Sequence, residues 1–276
     1  MRSESSWRFA GLTLAAHVAC FWPVWRWYGA RMTDGSDEPW GIAALVAALL
    51  LTWRNPRAWT LRKDDPLLWC AVLLTFAYVA AVPAAPPLIR AALAMAALAC
   101  SWVSITNLRS KLAPVAMLFA LSLPVIASLQ FYLGFPLRSI TAGGAALTLD
   151  ILGFAVERSG TALLWQGRTV LVDAPCSGVR MLWTGAALAC AMALHRDAIG
   201  WRSLTALLLL TGAATLFANV LRAAALFIVE TRDSPLPPFI HPTVGAATFA
   251  LTAVSIVLIE SALRRMTPSA RSLVHA

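Results

Sequence analysis

Apolar residues in this chain come in long unbroken runs, and the polar residues collect between them. Eight runs stand out: about Phe9 to Trp25, Trp40 to Trp53, Pro66 to Val82, Leu88 to Ile105, Leu112 to Leu133, Ser177 to Leu194, Ser203 to Val229 and His241 to Leu263. Several approach the ~20 apolar residues a helix needs to cross a bilayer. Lipid offers the backbone no hydrogen bonds, so a span is a helix or part of a closed barrel. Runs of this length without period-2 alternation predict helices. The expectation is an all-α polytopic membrane protein with about eight transmembrane helices, forming a single integral membrane domain over residues 1–276.

The punctuation between runs refines this picture. Pro83-Ala84-Ala85-Pro86-Pro87 predicts a tight turn joining the third and fourth runs. The first run has no small-residue cleavage site before a polar mature start, so it reads as a retained helix rather than a signal peptide. Residues 134–175 lack a convincing span. An amphipathic helix along the membrane is expected over Leu137 to Val156. Thr161 to Trp165 and Arg168 to Val172, flanking Gln166-Gly167, read as a small hairpin.

Composition agrees: 59% of the 276 residues are hydrophobic and only 13% are charged. The formal net charge of +9 would suit nucleic acid, but the basic residues sit in short loops between apolar runs. No nucleic-acid partner is therefore expected; the partner of this surface is the lipid bilayer. Arg2, Arg8, Arg54, Arg57, Arg62, Lys63, Arg109, Lys111, Arg196, Arg202, Arg264, Arg265 and Arg271 fall on one side of an eight-span topology. The positive-inside rule makes that side cytoplasmic, together with both termini. All the basic residues but Lys63 and Lys111 are arginine, so an arginine's position, not its presence, carries information.

Cys20, Cys70, Cys100 and Cys190 lie inside apolar runs and read as small core residues. Cys176 alone stands at a boundary, in Asp173-Ala174-Pro175-Cys176-Ser177-Gly178-Val179-Arg180. No CxxC or zinc spacing is present, and no metal or cofactor is expected. Cysteine reactivity needs a thiolate, which a nearby His⁺, an Arg or a helix N-terminus favours. Cys176 stands at the N-terminus of the sixth run, and Arg180 follows on the same helical face. Arg222 lies inside the seventh run, roughly 28 Å along it at ~1.5 Å per residue. Asn219 precedes it by one helical turn, and His241 opens the eighth run. In the expected topology Cys176, Arg222 and His241 share a depth on the non-cytoplasmic side. Each also has a plainer reading. Arg222 can snorkel or pair with Glu230 or Asp173, His241 can be a surface histidine before a proline, and Cys176 can be a structural thiol. An intramembrane arginine, however, usually faces a cavity or a partner.

Taken together, these residues resemble the exosortase/archaeosortase family. Ala174-Pro175-Cys176-Ser177-Gly178, Asn219-Val220-Leu221-Arg222, and His241 through Gly245 to Phe249 follow that family's three motifs in order, on consecutive runs. Leu123-Pro124 and Phe135-Pro136-Leu137 resemble the family's approach to the cysteine. The resemblance covers about residues 112–263, which it marks as the catalytic core. It implies a cysteine protease or transpeptidase of the bacterial inner membrane with its active site on the periplasmic side. Its substrates would be exported proteins with a C-terminal sorting signal: a short motif such as Pro-Glu-Pro, a transmembrane helix, then basic residues. Cys176, Arg222 and His241 would be catalytic, with Ser177, Gly178, Arg180, Asn219 and Gly245 supporting or binding substrate. The competing readings are a thiol acyltransferase, a silent member of the family, and a non-catalytic transporter or assembly partner that binds an anionic ligand at Arg222.

Overall fold

The structure, a computed structural model, describes residues 5–33, 40–53, 58–196, 200–231 and 239–266. Arg2, Arg54, Arg57 and Arg271 of the charge argument, and the proline-rich loop with Pro235, Pro237 and Pro238, lie outside the described residues. Ten α-helices run in chain order through the described residues: α1 (Ser5–Cys20), α2 (Trp22–Thr33), α3 (Trp40–Leu51), α4 (Pro66–Ala81), α5 (Pro87–Thr106), α6 (Leu112–Leu121), α7 (Ile126–Ile151), α8 (Val179–Ala193), α9 (Trp201–Glu230) and α10 (Ile240–Met266). Three short strands, β1 (Glu157–Ser159), β2 (Ala162–Trp165) and β3 (Arg168–Leu171), lie between α7 and α8.

Among the described residues, four helical segments are long and apolar enough to cross a membrane: α5, Ala174–Ala193 leading through α8, α9 and α10. A fifth results if Arg109–Leu121 and Ile126–Ile151 count as one broken span. The chain is an integral membrane protein, with four to five candidate spans where about eight were expected. The difference lies in the first three runs. The first is split, because Pro23 has no N–H to continue α1, and the chain turns at Phe21. The second and third form helices of 12 and 16 residues.

By contact the chain falls into two compact units, Met1–Val125 with Cys190–Leu204, and Ile126–Ala189 with Thr205–Ala276. In the first, α4 and α5 form the expected proline-bounded hairpin. Asp65 caps α4 by accepting from the Leu67 N–H at 2.9 Å, and Pro66 occupies the first turn, where no N–H is needed. Asn107 ends α5 in the left-handed region at φ 56°. Trp102 of α5 donates to Thr52 Oγ1 at 2.8 Å and packs among Trp53 and Trp59.

The second unit is built on α7, which corrects two expected boundaries. The fifth run does not continue as one helix to Leu133, since the backbone breaks at Leu123-Pro124-Val125 and α7 starts at Ile126. Nor does the helix reach Val156. Gly153 at φ +89° closes it, with Phe154 N–H donating to Leu149 O at 2.9 Å and Gly153 N–H to Asp150 O at 3.0 Å. β1 follows at Glu157–Ser159, where the sequence predicted no element. β2 and β3 form the expected hairpin. Trp165 pairs with Arg168, and Gln166 (φ 48°) and Gly167 (φ +77°) both take the positive φ that a two-residue hairpin turn requires.

Ala142, Ala145, Ala146 and Leu149 of α7 meet Val156, Leu163 and Val172 of the sheet region and Ala223, Ala224 and Phe227 of α9 in one buried core. Small side chains permit this approach: a Cβ on Gly144 would come within 2.7 Å of a Val220 methyl. Trp165 stacks edge-on against Phe154 and Phe227. Arg158 Nη1 donates to Ser139 O of α7 at 3.2 Å, and Arg168 Nη1 to Thr231 O after α9 at 3.0 Å. The sheet is thereby tied to both helices, and it delivers the chain to Cys176.

Candidate active site

Beyond β3 the backbone stays extended through Asp173 and then tightens into a single 3₁₀ turn, Ala174–Cys176, with Pro175 inside it. Cys176 N–H donates to Asp173 O at 3.1 Å and Ser177 N–H to Ala174 O at 3.2 Å. Gly178 follows at φ +82°, a conformation open to glycine and costly for a side chain. Ser177 is 1% exposed, and its hydroxyl oxygen accepts from Val179 N–H at 3.3 Å at the start of α8. Cys176 therefore stands just ahead of a helix N-terminus, as the sequence suggested. It is half-buried and packs against the edge of the α7–sheet–α9 core.

From α9, Asn219 reaches this turn. It is 1% exposed, and its amide nitrogen donates to Cys176 O at 2.9 Å and to Thr141 Oγ1 of α7 at 3.0 Å. Gly178 lies directly beneath that amide: a Cβ there would sit 2.9 Å from Asn219 Nδ2. One helical turn on, Arg222 Nη1 reaches Pro175 O at 3.5 Å. The spacing of three residues puts both polar groups on one face of α9.

His241, the second residue of α10, pairs through Nε2 with Glu230 Oε1 at 3.2 Å, and its side chain is 48% exposed. No hydrogen bond joins this ring to the Cys176 thiol among the described residues; its Nε2 is taken by Glu230. Gly245, one turn further along α10, abuts Arg222: a Cβ there would lie 3.8 Å from Nε. Arg222, opposite in sign to a thiolate, and Asp173 and Glu230, of like sign, all act electrostatically on the Cys176 sulfur. Arg180 is exposed on the first turn of α8, and its carbonyl accepts from Thr184 Oγ1 at 2.9 Å.

The structure thus gathers Cys176, Ser177, Gly178, Asn219 and Arg222 directly, and it brings Gly245 against Arg222 and His241 against Glu230. Two contributors escaped the sequence reading. Gln130 of α7 brackets the turn: its Nε2 donates to Ala174 O at 3.2 Å, and its Oε1 accepts from Ser177 Oγ at 2.9 Å. It is a lone amide in an apolar stretch, Ser128-Leu129-Gln130-Phe131, and that was the available signal. Thr141 had none, since threonines are common in these helices. Asn219 Oδ1 and Arg222 Nε are buried without a hydrogen-bond partner. Among the described residues, no three His, Cys, Asp or Glu side chains gather to hold a metal ion.

Comparison with known protein families gives a match. A sequence model of the family described as transmembrane exosortase matches residues 9–258 of the 276. No curated protein and no solved structure matches the chain.

Proposed function

We propose that this chain, which belongs to the transmembrane exosortase family, is a membrane-embedded cysteine peptidase or transpeptidase that cleaves C-terminal sorting signals of exported proteins. The observation that carries the reading is the grip of α9 on the cysteine turn. Asn219 holds the carbonyl of Cys176 itself, and Arg222 reaches that of Pro175. A guanidinium so placed, with a buried donor still unpartnered, suits a developing oxyanion.

In this mechanism the Cys176 thiol gives its proton to His241, and sulfur attacks the carbonyl carbon of the peptide bond next to the signal's helix. Arg222 stabilises the charge that gathers on the carbonyl oxygen, a role worth about 2.7–4 kcal/mol for one donor. The C–N bond breaks, and the leaving amine takes the proton from His241. A thioester on Cys176 remains. Water resolves it to a free acid, or an amine or hydroxyl acceptor to a new amide or ester. Either attack returns the thiol. Gly178 keeps the turn low enough for a substrate backbone to approach. The substrate is an exported protein ending in a short motif such as Pro-Glu-Pro, a transmembrane helix and basic residues. The site faces the periplasm, with both termini in the cytoplasm of a bacterial cell.

The test is expression of wild type and Cys176→Ala in the native host, followed by comparison of exported proteins that carry a C-terminal span and basic tail. Accumulation of full-length precursor in the variant alone is the expected result. Unchanged processing at equal protein levels would sink the reading and favour an anion-binding transporter or a silent member.

A further inference from the structure

We propose that Glu230 is a positioning residue for the reaction, holding the His241 imidazole with its proton on Nε2 so that Nδ1 is the nitrogen that exchanges a proton with Cys176. The proposal rests on the cysteine–histidine chemistry given above and adds a fourth side chain to it.

The geometry begins with the 3.2 Å contact between Glu230 Oε1 and His241 Nε2. An ionised carboxylate only accepts hydrogen bonds, so the nitrogen it faces carries hydrogen and the other keeps its lone pair. A base oriented by a third group is the general arrangement for activating a nucleophile.

The placement of the pair is also unusual for ordinary surface charges. Glu230 is the last residue of α9, and His241 is the second residue of α10. A negative charge at a helix C-terminus and a positive one at an N-terminus both oppose the helix dipole. Neither helix end favours its own charge, and each group is the partner that offsets the other's position. A neutral ring, the form a base needs, suits the N-terminus of α10.

Glu230 also connects the pair to the nucleophile. It lies eight residues beyond Arg222 on the same helix, roughly 12 Å along the axis, and its charge acts on the Cys176 sulfur. The other charged groups about this cluster are Arg222 of α9, Asp173 of the turn, and Arg168 of β3, which donates to Thr231 O one residue past Glu230. Glu230 is the carboxylate in contact with the ring. It gains no proton at any step; the proton moves between Sγ, Nδ1 and the leaving amine.

The test uses the full-length protein in lipid nanodiscs and two readings. The first is the rate of Cys176 alkylation by iodoacetamide, read by mass spectrometry at that residue in wild type, His241→Ala, Glu230→Gln and Glu230→Asp. His241→Ala and Glu230→Gln are each expected to slow it roughly tenfold, through loss of thiolate, and Glu230→Asp to restore it. The second needs no variant at Glu230. Nitrogen NMR of ¹⁵N-histidine protein, with the His241 signal assigned by its loss in His241→Ala, is expected to show the Nε2–H tautomer. A Glu230→Gln rate equal to wild type, with His241→Ala slow, overturns the role of Glu230 and leaves the cysteine–histidine reading standing. A Glu230→Asp variant as slow as Glu230→Gln overturns it too, as does an Nδ1–H ring. If His241→Ala itself matches wild type, the histidine of the proposed mechanism falls, and this inference with it.

Discussion

Asn219 donates its side-chain amide to the backbone carbonyl of Cys176 at 2.9 Å, so the proposed nucleophile is held through its own main chain. The same nitrogen donates to Thr141 Oγ1 at 3.0 Å, which makes one buried side chain the joint between α7, α9 and the cysteine turn. The asparagine of the second motif is therefore explained by architecture before any contact with substrate. It fixes where the 3₁₀ turn sits, and Arg222 one helical turn away inherits that register.

Replacing Asn219 by Ala leaves the Cys176 carbonyl and the Thr141 hydroxyl without this donor. An unpaired buried polar group costs about 1–3 kcal/mol. Asn219→Ala is expected to lower the unfolding midpoint in detergent and to strip most signal processing, although every proposed catalytic side chain remains. Asn219→Asp is expected to do no better, because a carboxylate offers no hydrogen to a carbonyl. Processing at the wild-type level in either variant would show that the turn needs no such hold.

Gly178→Ala attacks the same joint from below. The left-handed backbone at φ +82° costs a side chain about 1–2 kcal/mol, and the new Cβ would meet Asn219 Nδ2 at 2.9 Å. Asn219 is held by two hydrogen bonds and has little room to retreat. The expected outcome is a loss of processing at least like that of Asn219→Ala, and the double variant should be scarcely worse than Gly178→Ala alone, which already carries both the backbone strain and the broken contact. Additive losses in that cycle would separate the two residues.

What the sequence made legible divides along physical lines. Helical runs were read correctly where the apolar stretch was long and bounded by charge, as in α9 and α10. They were misread where a single residue interrupts the backbone: Pro124 ends the fifth run early, and Gly153 ends α7 five residues after Thr148 and before the sheet begins. Neither break changes hydropathy, so neither shows in an apolar pattern. The hairpin was legible because Gln166-Gly167 is a local turn signal. Cys176, Asn219 and Arg222 were legible as polar residues at odds with their surroundings. Gln130 was not singled out, and Glu230 was named only as a partner for Arg222, because a lone amide and a helix-end carboxylate are unremarkable until the fold sets them beside the cysteine turn and His241.

The first unit offers a pH test independent of catalysis. Burial pushes the Asp65 carboxyl up, but hydrogen bonds from Ser104 Oγ at 2.7 Å, the Leu67 N–H and Arg109 outweigh it and hold the group below the usual carboxylate range. A carboxyl depressed in the folded state stabilises the fold fully above its unfolded value, ~3.9, and that contribution is lost as pH falls through the folded value. Asp65→Asn is therefore expected to unfold at lower temperature than wild type at neutral pH, by about 1.5–3 kcal/mol, the range for a hydrogen bond to a charged group. The gap should close progressively below about pH 4. Thermal melts of both proteins in detergent across that range check it, and a gap that is constant with pH would show that the Asp65 charge contributes nothing.

Gln130 gives the sharpest separation between holding the turn and performing chemistry. Its amide donates to Ala174 O and accepts from Ser177 Oγ, one contact on either side of Cys176. Its hydrogen bonds go to Ala174 O and Ser177 Oγ and none is made to the thiol among the described residues, so it acts by holding the turn. Each neutral hydrogen bond contributes about 0.5–1.5 kcal/mol, and losing both lowers the population of the ordered turn roughly fivefold by the smaller sum and more by the larger. Gln130→Ala should reduce signal processing by at least that factor. Gln130→Glu keeps an acceptor for Ser177 but faces the Ala174 carbonyl with a negative charge, so it should be no better than Ala. Cys70 of α4, exposed in the first unit where the apolar run predicted a core residue, supplies the control. Its alkylation rate should be the same in all three proteins, while that of Cys176 changes. If Gln130→Ala processes signals like wild type, Asn219 alone sets the turn, and the α7 contact is packing.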